Sequence, residues 1–201
     1  MDDSVAVPQD LRQRRLLLRA TTTLGGIGIV GATLPFVQSM APSNAARSRG
    51  APVDVSLDTV EAGTLATVAW RGKPVWILHR TSAMLEGLGK HDDLLADPQS
   101  RQAQQPPYAA NRTRSIRPEF FVAVGICTHL GCVPTFRPDV GAADLGERWP
   151  GGFFCPCHGS KFDLAGRVFK SVPAPVNLEV PPYEYLGETR LVVGRDRSGA
   201  G

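Results

Sequence analysis

All four cysteines and two of the four histidines of this 201-residue chain fall in two six-residue runs. These are Cys127-Thr-His129-Leu-Gly-Cys132 and Cys155-Pro-Cys157-His158-Gly-Ser160. No packing requirement gathers every thiol into two short segments. Whatever the architecture, it must bring these runs together. The inner pattern is Cys-x-His in the first and Cys-x-x-His in the second, two soft thiolates and two imidazoles. Cys132 and Cys157 lie one step outside it.

Two thiolates and two imidazoles suit a tetrahedral structural zinc. They equally suit a [2Fe–2S] cluster with two cysteines on one iron and two histidines on the other. Zinc sites usually present like with like, as Cys-x-x-Cys and His-x3–5-His. Here each run supplies one Cys and one His, a mixture that a two-iron cluster explains because each loop then reaches both metals.

The two runs resemble those of the Rieske iron–sulfur family, and in particular its membrane-anchored branch in the ubiquinol–cytochrome c oxidoreductases of bacteria. The resemblance extends from the arginine-rich start through the C-terminal part. It implies one [2Fe–2S] cluster with Cys127, His129, Cys155 and His158 as iron ligands, and a disulfide between Cys132 and Cys157. Rieske ferredoxins and ring-hydroxylating oxygenases share the inner pattern but lack the second cysteine pair. Thiol chemistry favours the same bridge, since two thiols left over beside a redox centre would be open to oxidation. A bridge closing about 24 intervening residues contributes roughly 3 kcal/mol in the chain-entropy model, and it requires an oxidising compartment.

The resemblance further implies tuning groups. Backbone amides in the Gly131 and Gly159 turns can approach the sulfurs without side-chain obstruction. Ser160 matches a serine whose hydroxyl bonds a bridging sulfide. Phe162 stands where many members carry a tyrosine that donates to a ligand cysteine sulfur, and a phenyl ring has no donor. This copy is therefore expected to have a lowered potential. Val172-Pro173-Ala174-Pro175 resembles the proline loop that covers the cluster, with Pro173 and Pro175 as its stiff positions. By the same resemblance, His158 through its exposed Nε2, together with His129 and Leu130, meets the quinol and takes its proton. The partners implied are ubiquinol, the cytochrome b and cytochrome c1 subunits of a dimeric complex, and the membrane. The activity implied is proton-translocating quinol–cytochrome c oxidoreduction within a respiratory chain.

The N-terminal part supplies the membrane anchor. Arg12, Arg14, Arg15 and Arg19 precede residues 20–40, which carry no charge. At 1.5 Å per residue such a helix spans about 31 Å, the thickness of a bilayer core. The flanking arginines keep residues 1–19 cytoplasmic and export the residues beyond the helix, giving a single-pass protein of the bacterial inner membrane with a periplasmic head. Arg14 and Arg15 also read as a twin-arginine export signal. A cleaved signal peptide would have a shorter apolar region, so the segment reads as a retained anchor. The G-x-G-x-x-G at Gly26, Gly28 and Gly31 lacks the strand context of a dinucleotide site. It suits close helix contact in a membrane instead.

Residues 41–50, small, polar and basic, read as a flexible hinge, and residues 51–201 as the head. Gly and Pro number 21 and 17, favouring a loop-rich β domain over a helical bundle. A net charge of +3 is too small to suggest nucleic acid. Strands are expected at 53–57, 65–70, 75–78, 120–126, 153–154, 183–186 and 190–193. A hairpin turn is expected at 71–74, a broken helix over 81–95, and an exposed loop over 98–117. The expected fold is mainly β, an antiparallel sandwich with a cluster-binding subdomain at about 120–175 and one N-terminal transmembrane helix. His79 and His91 are left as surface or hydrogen-bonded histidines. With only those two remaining, no His/His/carboxylate set is available for the second iron of an oxygenase.

Overall fold

The computed structural model describes residues 11–43 and 50–196. Six positions of the expected hinge, 44–49, and the ends 1–10 and 197–201 lie outside the described residues. The chain divides into two compact units, Met1–Arg47 and Ser48–Gly201. Among its described residues the first holds one α-helix, α1, over Leu11–Ser39. It begins well before residue 20, so Arg14, Arg15 and Arg19 lie on helix. Thr21, Thr22, Thr23 and Thr33 turn their hydroxyls back onto carbonyls one turn earlier, so each is satisfied without water. Gln13–Ser39 is long and apolar enough to cross a membrane.

The described residues of the second unit form nine strands in three antiparallel sheets of three. They are β1 (Val53–Ser56), β2 (Leu65–Trp70), β3 (Lys73–His79), β4 (Phe120–Val124), β5 (Thr135–Arg137), β6 (Gly152–Cys155), β7 (Ser160–Asp163), β8 (Tyr183–Tyr185) and β9 (Arg190–Val193). Their orders are β1-β9-β8, β2-β3-β4 and β5-β6-β7. The β2–β3 hairpin closes in two residues, Arg71 and Gly72, both at positive φ, the tight turn that matches strand twist. Lys73 and Pro74, expected in the turn, are therefore strand residues. Val75, Trp76, Ile77 and Leu78 of β3 and every residue of β4 are buried, as suits strands covered on both faces.

One continuous core joins the three sheets, from Val55 and Leu191 through Ile77 and Val122 to Phe153 and Phe162. Its hinge pin is Trp76, whose ring stacks on Phe153 with centroids 4.8 Å apart. A Cβ on Gly125 would collide with that ring, so the chain can leave β4 only as glycine. A smaller core of Leu95, Leu145, Trp149 and Phe169 lies under the 138–151 segment.

Several expectations are corrected. The 81–95 region is helical only over Ser82–Gly87 (α2), where Thr81 accepts Met84 N–H at the N-cap, followed by a 3-10 turn at Asp92–Leu94. Strand β4 stops at Val124 because Gly125 turns under Trp76. The 98–117 segment is no exposed loop: Ser100, Ala109, Arg114 and Ser115 are buried. Arg114 carries the segment inward by donating to the carbonyls of Gln104, Ala165, Gly166 and Leu178. The short strands β5 and β7 have no counterpart among the expected elements.

Candidate metal centre

Both cysteine runs fold as the same turn. The first follows β4, the second joins β6 to β7. Gly131 N–H donates to Cys127 O at 3.0 Å, and Gly159 N–H to Cys155 O at 2.9 Å. Each turn thus starts at a buried cysteine and closes four residues later. The closing residues have φ of +85° and +78° with open space beside them, so backbone conformation and not crowding calls for glycine. Cys127 N–H donates to Cys132 O, and Thr128 Oγ1 donates to Val176 O at 2.7 Å. The first turn is thereby tied to the end of the proline loop.

Cys132 and Cys157 form a disulfide across the two turns, Cα atoms 6.7 Å apart. Cys127 and Cys155 are free thiols, each 2% exposed. Burial, aided by the adjacent Cys127, pushes the Cys155 thiol up, although the N–H groups of Cys157 and His158 donate to its sulfur and oppose the shift. Such a thiol keeps its proton until a metal displaces it. His129 and His158 meet edge to face, ring centroids 4.8 Å apart, with His158 exposed and His129 half-buried. The disulfide sulfurs are not thiolates, which leaves two buried thiols and, from the same two turns, two imidazoles. That donor set fits a two-iron cluster with unlike ends.

The remaining positions surround this arrangement or lie away from it. Ser160 is buried and its Oγ accepts Ala174 N–H at 3.1 Å, which leaves the hydroxyl proton free to donate elsewhere. Ala174 is buried between exposed Pro173 and Pro175. Phe162 is fully buried in the core that also contains Cys127 and Cys155 and pairs with Phe153. Leu130 is 72% exposed beside the turn that carries His129. Arg14 and Arg15 belong to α1, in the other unit. His79 bonds Val60 O through Nδ1.

One feature gave no sequence signal. Asp163, the last residue of β7, is fully buried and bonds both Arg167 and His91, the latter at 3.3 Å. Its Oδ1 also accepts the N–H groups of Ala165 and Arg167. Burial alone would raise its carboxyl, but His91 and Arg167 more than reverse that and hold it below the ordinary carboxylate range. Arg167 reaches on to Leu88 O, Pro98 O and Asp92, clamping the cluster-side strand to the 88–98 segment. Contacts so distant in the chain leave no local pattern.

Comparison with known proteins places the arrangement. Residues 55–184 match the Rieske [2Fe-2S] domain. The chain is 55% identical over 188 residues to the ubiquinol-cytochrome c reductase iron-sulfur subunit of Allochromatium vinosum, covering 94% of this chain and 91% of that one. It is 40% identical to the subunit of the same name from Blastochloris viridis, covering 90% and 92%. Identity to that of Bradyrhizobium diazoefficiens is 38%, covering 90% and 94%.

Proposed function

This chain belongs to the Rieske [2Fe-2S] family, among the ubiquinol–cytochrome c reductase iron–sulfur subunits, and from that premise we propose how its residues serve quinol oxidation. Cys127 and Cys155 hold one iron, His129 and His158 the other. The observation that carries this reading is the pair of buried free thiols in the same two turns that bring His129 and His158 edge to face. When bound, the cluster supplies a one-electron acceptor of raised potential, since neutral imidazoles replace two thiolates.

The chain's own groups do the rest. The Cys157 and His158 amides stabilise negative charge on the Cys155 sulfur. Ser160 turns its remaining hydroxyl proton inward while Ala174 holds its oxygen. The disulfide keeps the two turns in register, and the proline loop shields the site from water. His158, at the exposed rim, takes the quinol's proton at Nε2, with His129 beside it. Leu130 offers the quinol ring an apolar contact. With the cluster bound, the subunit would pass an electron on to cytochrome c1, and the proton would leave from the same imidazole, within a dimeric complex that also contains cytochrome b. Helix α1 anchors the subunit in the bacterial inner membrane, with its arginine-bearing end cytoplasmic and the head periplasmic. Arg14 and Arg15 direct export.

The test is purification from membranes, followed by a redox-difference spectrum, electron paramagnetic resonance after reduction and a quinol–cytochrome c assay. The expected outcome is co-purification with b- and c-type haem and a reduced-state signal from mixed sulfur and nitrogen ligation. The midpoint should fall as pH rises, because a proton is taken up with the electron. A colourless, zinc-containing protein without such a signal overturns the reading.

A further inference from the structure

Three arginines are almost completely inaccessible in the head: Arg80, Arg114 and Arg167. They converge on residues 163–166, where β7 ends and turns. Arg80 donates to Leu164 O at 3.3 Å, Arg114 to Ala165 O and Gly166 O at 3.2 and 3.3 Å, and Arg167 to Asp163. The buried carboxylates among the described residues are Asp163 and Asp97. The partly exposed Asp92 pairs with exposed Arg112 as well as with Arg167. Counted over the buried groups alone, the interior holds one more guanidinium than carboxylate. Burial lowers Arg80 and Arg114 only to about 10, so both stay charged at neutral pH.

The turn lies close behind the centre. In the β6–β7 ladder Cys155 pairs with Ser160, and Gly152 with Asp163. Three residues of strand separate the two pairs, about 10 Å. Arg80 bonds this turn with its guanidinium 5.4 Å from the Phe121 ring, which in turn meets Phe153. A unit charge about 10 Å away, at an effective dielectric constant of about 20, changes a reduction equilibrium roughly tenfold. For a one-electron couple tenfold is about 59 mV.

Resting on the reading of Cys127, His129, Cys155 and His158 as the cluster site, we propose that the Arg80–Arg114–Arg167 cluster raises the reduction potential of the centre by its net buried charge. These are positioning and tuning residues that touch neither cluster nor quinol. In this chain they act in the direction opposite to the missing phenol at Phe162.

The test is a redox titration of the membrane-purified complex carrying Arg80→Lys, Arg80→Gln or Asp97→Asn. Charge should order the midpoints. Arg80→Gln falls below the parent, Arg80→Lys stays close to it, and Asp97→Asn, which removes a buried negative charge, rises above it, each shift up to about a tenfold change in the reduction equilibrium. A purely structural role for Arg80 would move Lys and Gln variants alike. Should Arg80→Gln fail to assemble, Asp97→Asn decides, and a midpoint not above the parent's overturns the proposal. Unshifted midpoints with an intact resonance signal overturn it while sparing the assignment of the cluster. A parent complex without that signal instead overturns the assignment, and the proposal with it.

Discussion

At the scale of single residues, Phe162 is the position where one oxygen atom should matter most. Its ring is fully buried in the core shared with both candidate ligand cysteines and has nothing to donate. Phe162→Tyr should add a neutral hydrogen bond to a ligand sulfur, worth about 0.5–1.5 kcal/mol, or roughly 20–65 mV upward for a one-electron couple. A redox titration checks this, and an unchanged midpoint would mean that the hydroxyl finds no sulfur. The chemistry-bearing residues at this scale were legible because soft donors are rare and stood in two short runs. The Asp163–Arg167–His91 contacts were not legible. His91 could be expected only as a surface or satisfied histidine, and the carboxylate that satisfies it lies 72 residues away.

At the scale of elements, the centre is two copies of one turn, each begun by a buried cysteine, Cys155 at the end of β6 and Cys127 three residues beyond β4, and closed by a glycine. The disulfide locks the copies together. Replacing Cys132 and Cys157 together by serine should cost the head about 3 kcal/mol and let the loops separate. The expected outcome is a lower midpoint of thermal unfolding and loss of visible [2Fe–2S] absorbance during purification. Full retention of both would show that the turns hold themselves. Strands β2, β3, β4 and β9 were legible as apolar runs bounded by turn residues. Strands β5 and β7 were not, being three or four residues long with Arg137 or Lys161 inside them. Composition also misled over 98–117. The segment is polar, yet Arg114 meets main-chain carbonyls inside the fold, so a charged residue became core. Pattern reading assigns charge to the surface and cannot foresee such compensation by hydrogen bonds.

At the scale of the whole molecule, an apolar helix and a β head are joined through a small, polar segment whose central residues lie outside those described. If that segment is a hinge that lets the head move between quinol and cytochrome, prolines substituted across 43–46 should reduce steady-state turnover several-fold and leave the resonance spectrum unchanged. Unaltered quinol–cytochrome c activity would identify a passive spacer. The head itself closes on its own ends: Val53 of β1 pairs with Val193 of β9, and β9 is the only ladder partner of β1 among the described residues. During synthesis β1 therefore waits, without its neighbour, until β9 at Arg190–Val193 has left the ribosome. The turns that would carry the metal are made long before that strand arrives. Completion of the shell is the last event in the making of this head, and a chain stalled short of Arg190 would display the metal-binding turns on a body that is still open.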